Sequence, residues 1–152
     1  MRVVAIAVLC VGCANDPVLG PATWTETPAG DGALFKQSFV TRTGEIAVRF
    51  YDDDGSPTCS EIKVATFPAA SEARISFSAP AIVHNGSVSV SNPLDPSTPS
   101  AAVIFASRTY TAGTVVLTDT GDRLVGTFMA AGTTSDGTAA TIEGAFDAPF
   151  CD

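Results

Sequence analysis

The sequence predicts an all-β protein, either an antiparallel β-sandwich or a coiled meander barrel of about eight to nine strands. Three observations carry this. Apolar and polar residues alternate with period two in short segments, turn-forming residues separate those segments, and no segment shows a convincing helical period. A stretch such as Ala130-Ala131-Gly132 or residues 68–73 could supply at most one helical turn.

The first element lies outside the fold. Met1-Arg2 precedes the uncharged run from Val3 to Gly12, which is too short to span a bilayer as a permanent helix. The small residue Gly12, then Cys13, then the polar Ala14-Asn15-Asp16 end that run abruptly. The segment resembles a bacterial lipoprotein signal, in which the Cys after a small residue is diacylated and becomes the first residue of the mature chain. Residues 1–12 are then the signal peptide and Cys13 the lipidation site. Cys10 stands where that signal usually carries Leu, and cleavage after Ala14 by an ordinary secretory peptidase is the alternative.

Residues 13–32 read as the lipidated N-terminus and tether, with three Pro and three Gly between Ala14 and Gly32 and an opening strand around Trp24. Residues 33–152 form a single β-domain, a length suited to one core. Ile46, Val48 and Phe50 alternate with Ala47, Arg49 and Tyr51. Ile62 and Val64 alternate with Glu61 and Lys63, Ile75 and Phe77 with Arg74 and Ser76, and Val88 and Val90 with Ser87, Ser89 and Ser91. Asn85-Gly86 predicts a hairpin between residues 81–84 and 87–90, because both residues tolerate the positive φ of a type I′ turn. A proline-rich loop over 92–99 precedes a meander with strands near 101–111, 113–119, 123–130 and 139–147. Its joints are Ala112-Gly113, Thr120-Gly121-Asp122 and residues 133–137.

Gly126-Thr127-Phe128 and Gly144-Ala145-Phe146 repeat one spacing in successive strands. A ring can lie across a glycine in the next strand, and strand glycines permit tight coiling, so this feature favours a barrel. The ending Gly144-Ala145-Phe146-Asp147-Ala148-Pro149-Phe150-Cys151, with Gly113 to Thr118, resembles that of small lipoproteins from bacteria such as the myxobacteria. Those chains finish in a Gly-x-Phe-Asp-x-Pro-x-Cys strand, and the resemblance implies no activity. Ala14 after the lipidated position implies sorting to the outer membrane; a periplasmic or secreted protein is the alternative.

Cysteine usage agrees with export. Cys10 leaves with the signal and Cys13 takes the lipid, which leaves Cys59 and Cys151 as a disulfide in an oxidising compartment. That bond closes a loop of about 90 residues, worth roughly 4 to 5 kcal/mol in the chain-entropy model before native strain is subtracted. A metal site built from these two cysteines and His84 lacks a fourth ligand and any C-x-x-C spacing.

The full chain carries a net charge of −8, and loss of Arg2 makes the mature chain one charge more acidic. Nucleic acid and polybasic membrane docking are therefore excluded as partners. Asp52-Asp53-Asp54 invites a calcium loop, but Pro57 occupies the position that needs glycine, so an acidic turn is the better reading. His84, the single histidine, flanks a turn and has no Gly-x-Ser-x-Gly partner motif. Glu26, Glu45, Glu61, Glu72 and Glu143 lie mostly on expected solvent faces and do not make a glycosidase pair. The aromatic residues, among them Trp24, Tyr51, Tyr110, Phe39, Phe77, Phe128 and Phe146, read as core.

No catalytic residue, metal or cofactor is therefore assigned. The expected function is that of a noncatalytic cell-envelope lipoprotein, held to the membrane by its anchor and contacting an envelope protein or glycan through its surface. The alternative is a lipocalin-like, calycin-type carrier of a small apolar ligand, which predicts a hollow interior where surface binding predicts a filled one. The oligomeric state is not readable from the sequence.

Overall fold

The computed structural model describes residues 16–29, 36–42, 46–51, 57–64, 73–78, 81, 85–105 and 108–151. In chain order these hold β1 (Gly20–Thr27), β2 (Gln37–Thr41), β3 (Ile46–Tyr51), α1 (Cys59–Val64), β4 (Ala73–Phe77), β5 (Gly86–Val90), β6 (Ser100–Phe105), β7 (Arg108–Asp119), β8 (Arg123–Thr134) and β9 (Ala139–Pro149). The strands close into a barrel in the order β1-β2-β3-β4-β6-β5-β7-β8-β9, with a further pairing of β6 to β7. Neighbours are antiparallel except β5 and β6, where Val90 pairs with Ala101 in parallel. Closure removes the exposed edges that an open sheet would leave for aggregation.

Strand alternation decides what lies inside. On β8, Leu124, Phe128 and Ala130 are buried while Val125, Thr127 and Met129 face outward; β9 buries Ala140, Ile142 and Phe146 by the same rule. These residues join Trp24, Val48, Phe50, Ile75, Val103 and Val115 in one continuous core along the barrel axis. Trp24 and Phe50 meet edge to face with ring centroids 4.7 Å apart, and Phe50 meets Phe128 at 5.6 Å.

The two glycine-aromatic repeats interlock as expected. Gly126 pairs with Phe146, and Phe128 pairs with Gly144. A Cβ on Gly126 would stand 2.6 Å from Cζ of Phe146, and one on Gly144 would stand 2.5 Å from Cζ of Phe128. Each ring thus occupies the space its cross-strand glycine leaves open.

Four expectations need correction. The barrel starts at Gly20, before residue 33, because β1 pairs with β9 from Ala22↔Phe146 to Thr27↔Thr141; Pro21 stands near its start and Pro28 beyond its end. Residues 59–64 are helical and do not form a strand. The Glu61 carboxylate accepts hydrogen bonds from the Thr58 backbone N–H and hydroxyl at 2.7 and 3.0 Å, so Thr58-x-x-Glu61 is a capping box that starts a helix.

Ala81, expected in the first strand of the Asn85-Gly86 hairpin, lies outside the described strands. β5 pairs with β7 on one side and, through Ser89 and Val90, with β6 on the other, and Ala81 sits in a turn closed by its N–H on the Ser78 carbonyl. Residues 82–84 lie outside the described residues. Last, Ala112-Gly113 is no joint: β7 runs through it with a register shift between Tyr110 and Ala112. Gly113 takes φ +142° there, which a bulge in a long coiled strand accommodates and a side chain would resist. The expected joint at Thr120-Gly121-Asp122 is present, with the Thr120 N–H on the Arg123 carbonyl.

Candidate functional site

Three places in the molecule depart from plain barrel construction. The first is the Cys59–Cys151 disulfide, with Cα atoms 5.1 Å apart. It forms because α1 sits outside the barrel wall over Phe39, which β2 turns outward between inward-facing Ser38 and Val40. Leu19, Phe39, Ile62 and the two cysteines make a second small core, with Tyr51 packed against it. The chain N-terminal to β1 is pinned there too: Asp16 accepts the Ser60 N–H, and the Cys59 N–H donates to the Pro17 carbonyl. Beyond β9, the Cys151 N–H donates to the Val40 carbonyl. Both ends of the described chain are thus fastened to one patch.

The second is a charged group inside the barrel. Glu26 follows Trp24 on the inward face of β1, and its side chain is fully buried, with the Arg108 side chain 10% exposed beside it. Arg108 Nη1 lies 3.3 Å from Glu26 Oε1 and donates to the Pro28 carbonyl at 2.9 Å. The buried Tyr110 hydroxyl donates to the same Glu26 oxygen at 3.0 Å. Burial, with the Glu26 charge beside it, pushes the Tyr110 phenol up to about 12. This corrects the solvent-face reading of Glu26. Chemically the group is closed: the carboxylate already holds a cation and a hydroxyl, and Arg108 also ties down the main chain after β1.

The third is the outer wall formed by β7, β8, β9 and β1. Its outward positions are mostly Thr, Val and Ala, and Met129, Val116 and Val125 stand 62%, 44% and 36% exposed. Small side chains leave hollows between the strands. One of about 450 Å³ is bounded by Thr23, Val116, Val125, Thr127 and Ala145, and one of about 390 Å³ by Thr25, Ala112, Met129 and Thr141. Among the described outward side chains of this wall the ionisable groups are Glu143, Asp147 and Arg123, and Arg123 Nε donates to Asp147 Oδ1. Arg49 and Arg74, by contrast, are cross-strand partners on β3 and β4.

Comparison with protein-family models, curated proteins and solved structures gives no match. The wall and the buried group therefore have to be interpreted from their own chemistry. Cys13, Asp52 to Asp54 and His84 lie outside the described residues, as do Glu45 and Glu72. Glu61 is the helix cap and Glu143 is exposed on the wall, so the structure brings no two of the described candidate glutamates together. Among the described residues no cluster of three or more His, Cys, Asp or Glu has the arrangement of a metal site.

Sequence reasoning missed the Glu26, Arg108 and Tyr110 group, although a signal existed. Glu26 shares the parity of Trp24, and Arg108 shares that of Tyr110, so two core aromatics each imply an inward-facing charge two residues away.

Proposed function

We propose that this chain is a noncatalytic binding module of the cell envelope, exported and lipid-anchored through Cys13, that makes its contact through the outer wall of β7, β8, β9 and β1. The observation that carries the reading is the weakly charged, hollowed wall with Met129 standing out from it, on a chain whose net charge is −8. Solvated strand faces ordinarily carry more charge, and a large exposed apolar side chain beside such hollows marks a contact surface. The Cys59–Cys151 bond supports an oxidising compartment. A carrier would need room along the axis; the ring-against-ring packing of Trp24, Phe50 and Phe128 in the described core favours the surface reading.

The test is photo-crosslinking in intact cells. A photoreactive side chain replacing Met129 is expected to capture a defined envelope component, while one replacing Ser89, exposed on β5, is not. Equal capture from both positions, or none from position 129, refutes the assignment of the wall. Mass spectrometry of the mature protein checks the anchor: a diacylated Cys13 terminus is expected, and an unmodified start at Ala14 or Asn15 refutes it.

A further inference from the structure

We infer that the lipid anchor holds the α1 corner of the barrel directly on the bilayer surface, with the centre of the β7, β8, β9 and β1 wall turned to the aqueous side. The inference rests on lipidation of Cys13 and adds the face that meets the membrane.

The argument begins with the length of the tether. A flexible segment over residues 13–32 would span about 25 Å root-mean-square and leave the domain free to turn. In the structure the chain is fastened from Asp16 onward. The Asp16 carboxylate accepts the Ser60 N–H at 3.0 and 3.2 Å, and the Pro17 carbonyl accepts the Cys59 N–H at 2.9 Å. Val18 bridges Thr58, and the Leu19 N–H donates to the Pro57 carbonyl at 2.9 Å. Cys59 is in turn bonded to Cys151 beyond β9. Entry chain, α1 and barrel are thus tied into one unit.

Only Ala14 and Asn15 stand between Cys13 and that unit. The steps from Cys13 to Asp16 extend to about 10 Å at most. A diacylated cysteine keeps its acyl chains in the hydrocarbon and its backbone among the headgroups, a layer about 5 to 8 Å deep on each side of the bilayer. Asp16 and the start of α1 are therefore confined to the headgroup layer or a few ångströms above it.

The surface of this corner is compatible with that position. Among the described residues Pro17 and Val18 are the exposed ones nearest the anchor in the chain; both are uncharged, and Val18 is 47% exposed. Asp16 and Glu61 hold their carboxylates on N–H groups at the start of α1. An acidic chain gains no attraction from anionic headgroups, and none is needed, because the anchor alone keeps the two surfaces at high effective concentration.

The closed strand order sets what points the other way. α1 packs over Phe39 of β2 and Tyr51 of β3. From β2, by way of β1 and β9, β8 is three strands away in a barrel of nine, a third of the way round. Its outer face, with Val125 and Met129, is therefore turned away from the lipid and open to a partner.

The experiment uses the full-length lipoprotein, purified from cells and reconstituted in phosphatidylcholine vesicles in which some headgroups carry a nitroxide quencher. A fluorescent side chain replaces Ser60 on α1 or, in a second variant, Thr127 on β8, both of them exposed. Strong quenching is expected at position 60 and severalfold weaker quenching at position 127. A Gly/Ser insertion of about ten residues between Asn15 and Asp16 lengthens the free segment to a span of about 20 Å and is expected to bring position 60 down to the level of 127. Unchanged quenching at 60 after the insertion overturns the short tether as its cause. Equal quenching at 60 and 127 without the insertion, in protein whose mass shows a diacylated Cys13, overturns the inference and leaves the anchor standing. A chain that lacks the diacyl group and fails to float with the vesicles overturns both.

Discussion

Replacing Arg108 with Met removes the guanidinium from beside a carboxylate that has no access to solvent. At the 3.3 Å separation of Arg108 Nη1 and Glu26 Oε1, an effective dielectric of about 20 gives an attraction of about 5 kcal/mol. The uncompensated charge cannot be recovered by hydration, so R108M is expected to destabilise the fold by about 3 to 5 kcal/mol. Glu26→Gln in the same background removes the charge while keeping an oxygen for the Tyr110 hydroxyl. The double variant E26Q/R108M is therefore expected to regain most of the loss and to lie within about 2 kcal/mol of the parent. Urea unfolding of the parent, both single variants and the double variant gives the coupling energy directly. A cost below about 1 kcal/mol for R108M would refute the reasoning, as would a double variant whose loss equals the sum of the singles.

Other perturbations test other parts of the barrel. Gly126→Ala and Gly144→Ala each drive a methyl into a neighbouring backbone carbonyl, of Val116 and Thr23 respectively, as well as against a ring of the adjacent strand, and are expected to cost at least about 1 to 3 kcal/mol in thermal or urea unfolding. If both are tolerated, the rings do not lie over the glycines. Removing the disulfide as C59S/C151S is expected to cost about 2 to 5 kcal/mol, with hydrogen exchange rising first around α1 and residues 149–151. Exchange rising uniformly would contradict its role as a local staple. The Tyr110 phenol, held up to about 12 against an ordinary 10.0, binds its proton more tightly in the folded state. Its contribution is therefore complete below pH 10 and lost as the pH rises toward 12. Y110F should flatten that alkaline loss, and an unchanged alkaline limb assigns it to other groups.

The fold was legible where pattern and turn chemistry agreed. The alternation of β3 and β4 gave those strands, and the Gly126/Phe128 and Gly144/Phe146 repeats favoured closure because each ring needs its glycine in the neighbouring strand. Legibility failed where two signals competed over a few residues. Glu61 to Val64 alternates in polarity, yet the Glu61 carboxylate caps the helix at Thr58, and the disulfide adds a tertiary hold on the first residue of α1. Asn85-Gly86 has the chemistry of a hairpin turn, but Ala81 lies outside the described strands, and the Asn85 side chain accepts the Asp119 N–H at the end of β7. The candidate wall was the least legible of all. Its Thr and Val residues are what any strand face carries, and only the closed order of the strands shows that β7, β8, β9 and β1 present them side by side.

The distribution of charge supplies a physical reason for that wall. Many of the described acidic groups sit in turns and loops, where they organise the backbone. Asp95 accepts hydrogen bonds from the Ser97 side chain and N–H and from the Thr98 hydroxyl, and these hold its carboxyl below the usual 3.8. Asp136 is held low in the same way by the hydroxyl of Thr134 and the N–H of Thr138. Both contributions are present above the unfolded value and are lost as the pH falls below it, so acid should loosen these turns before the barrel wall. With solubility carried at the turns, the long strands can leave one side weakly charged.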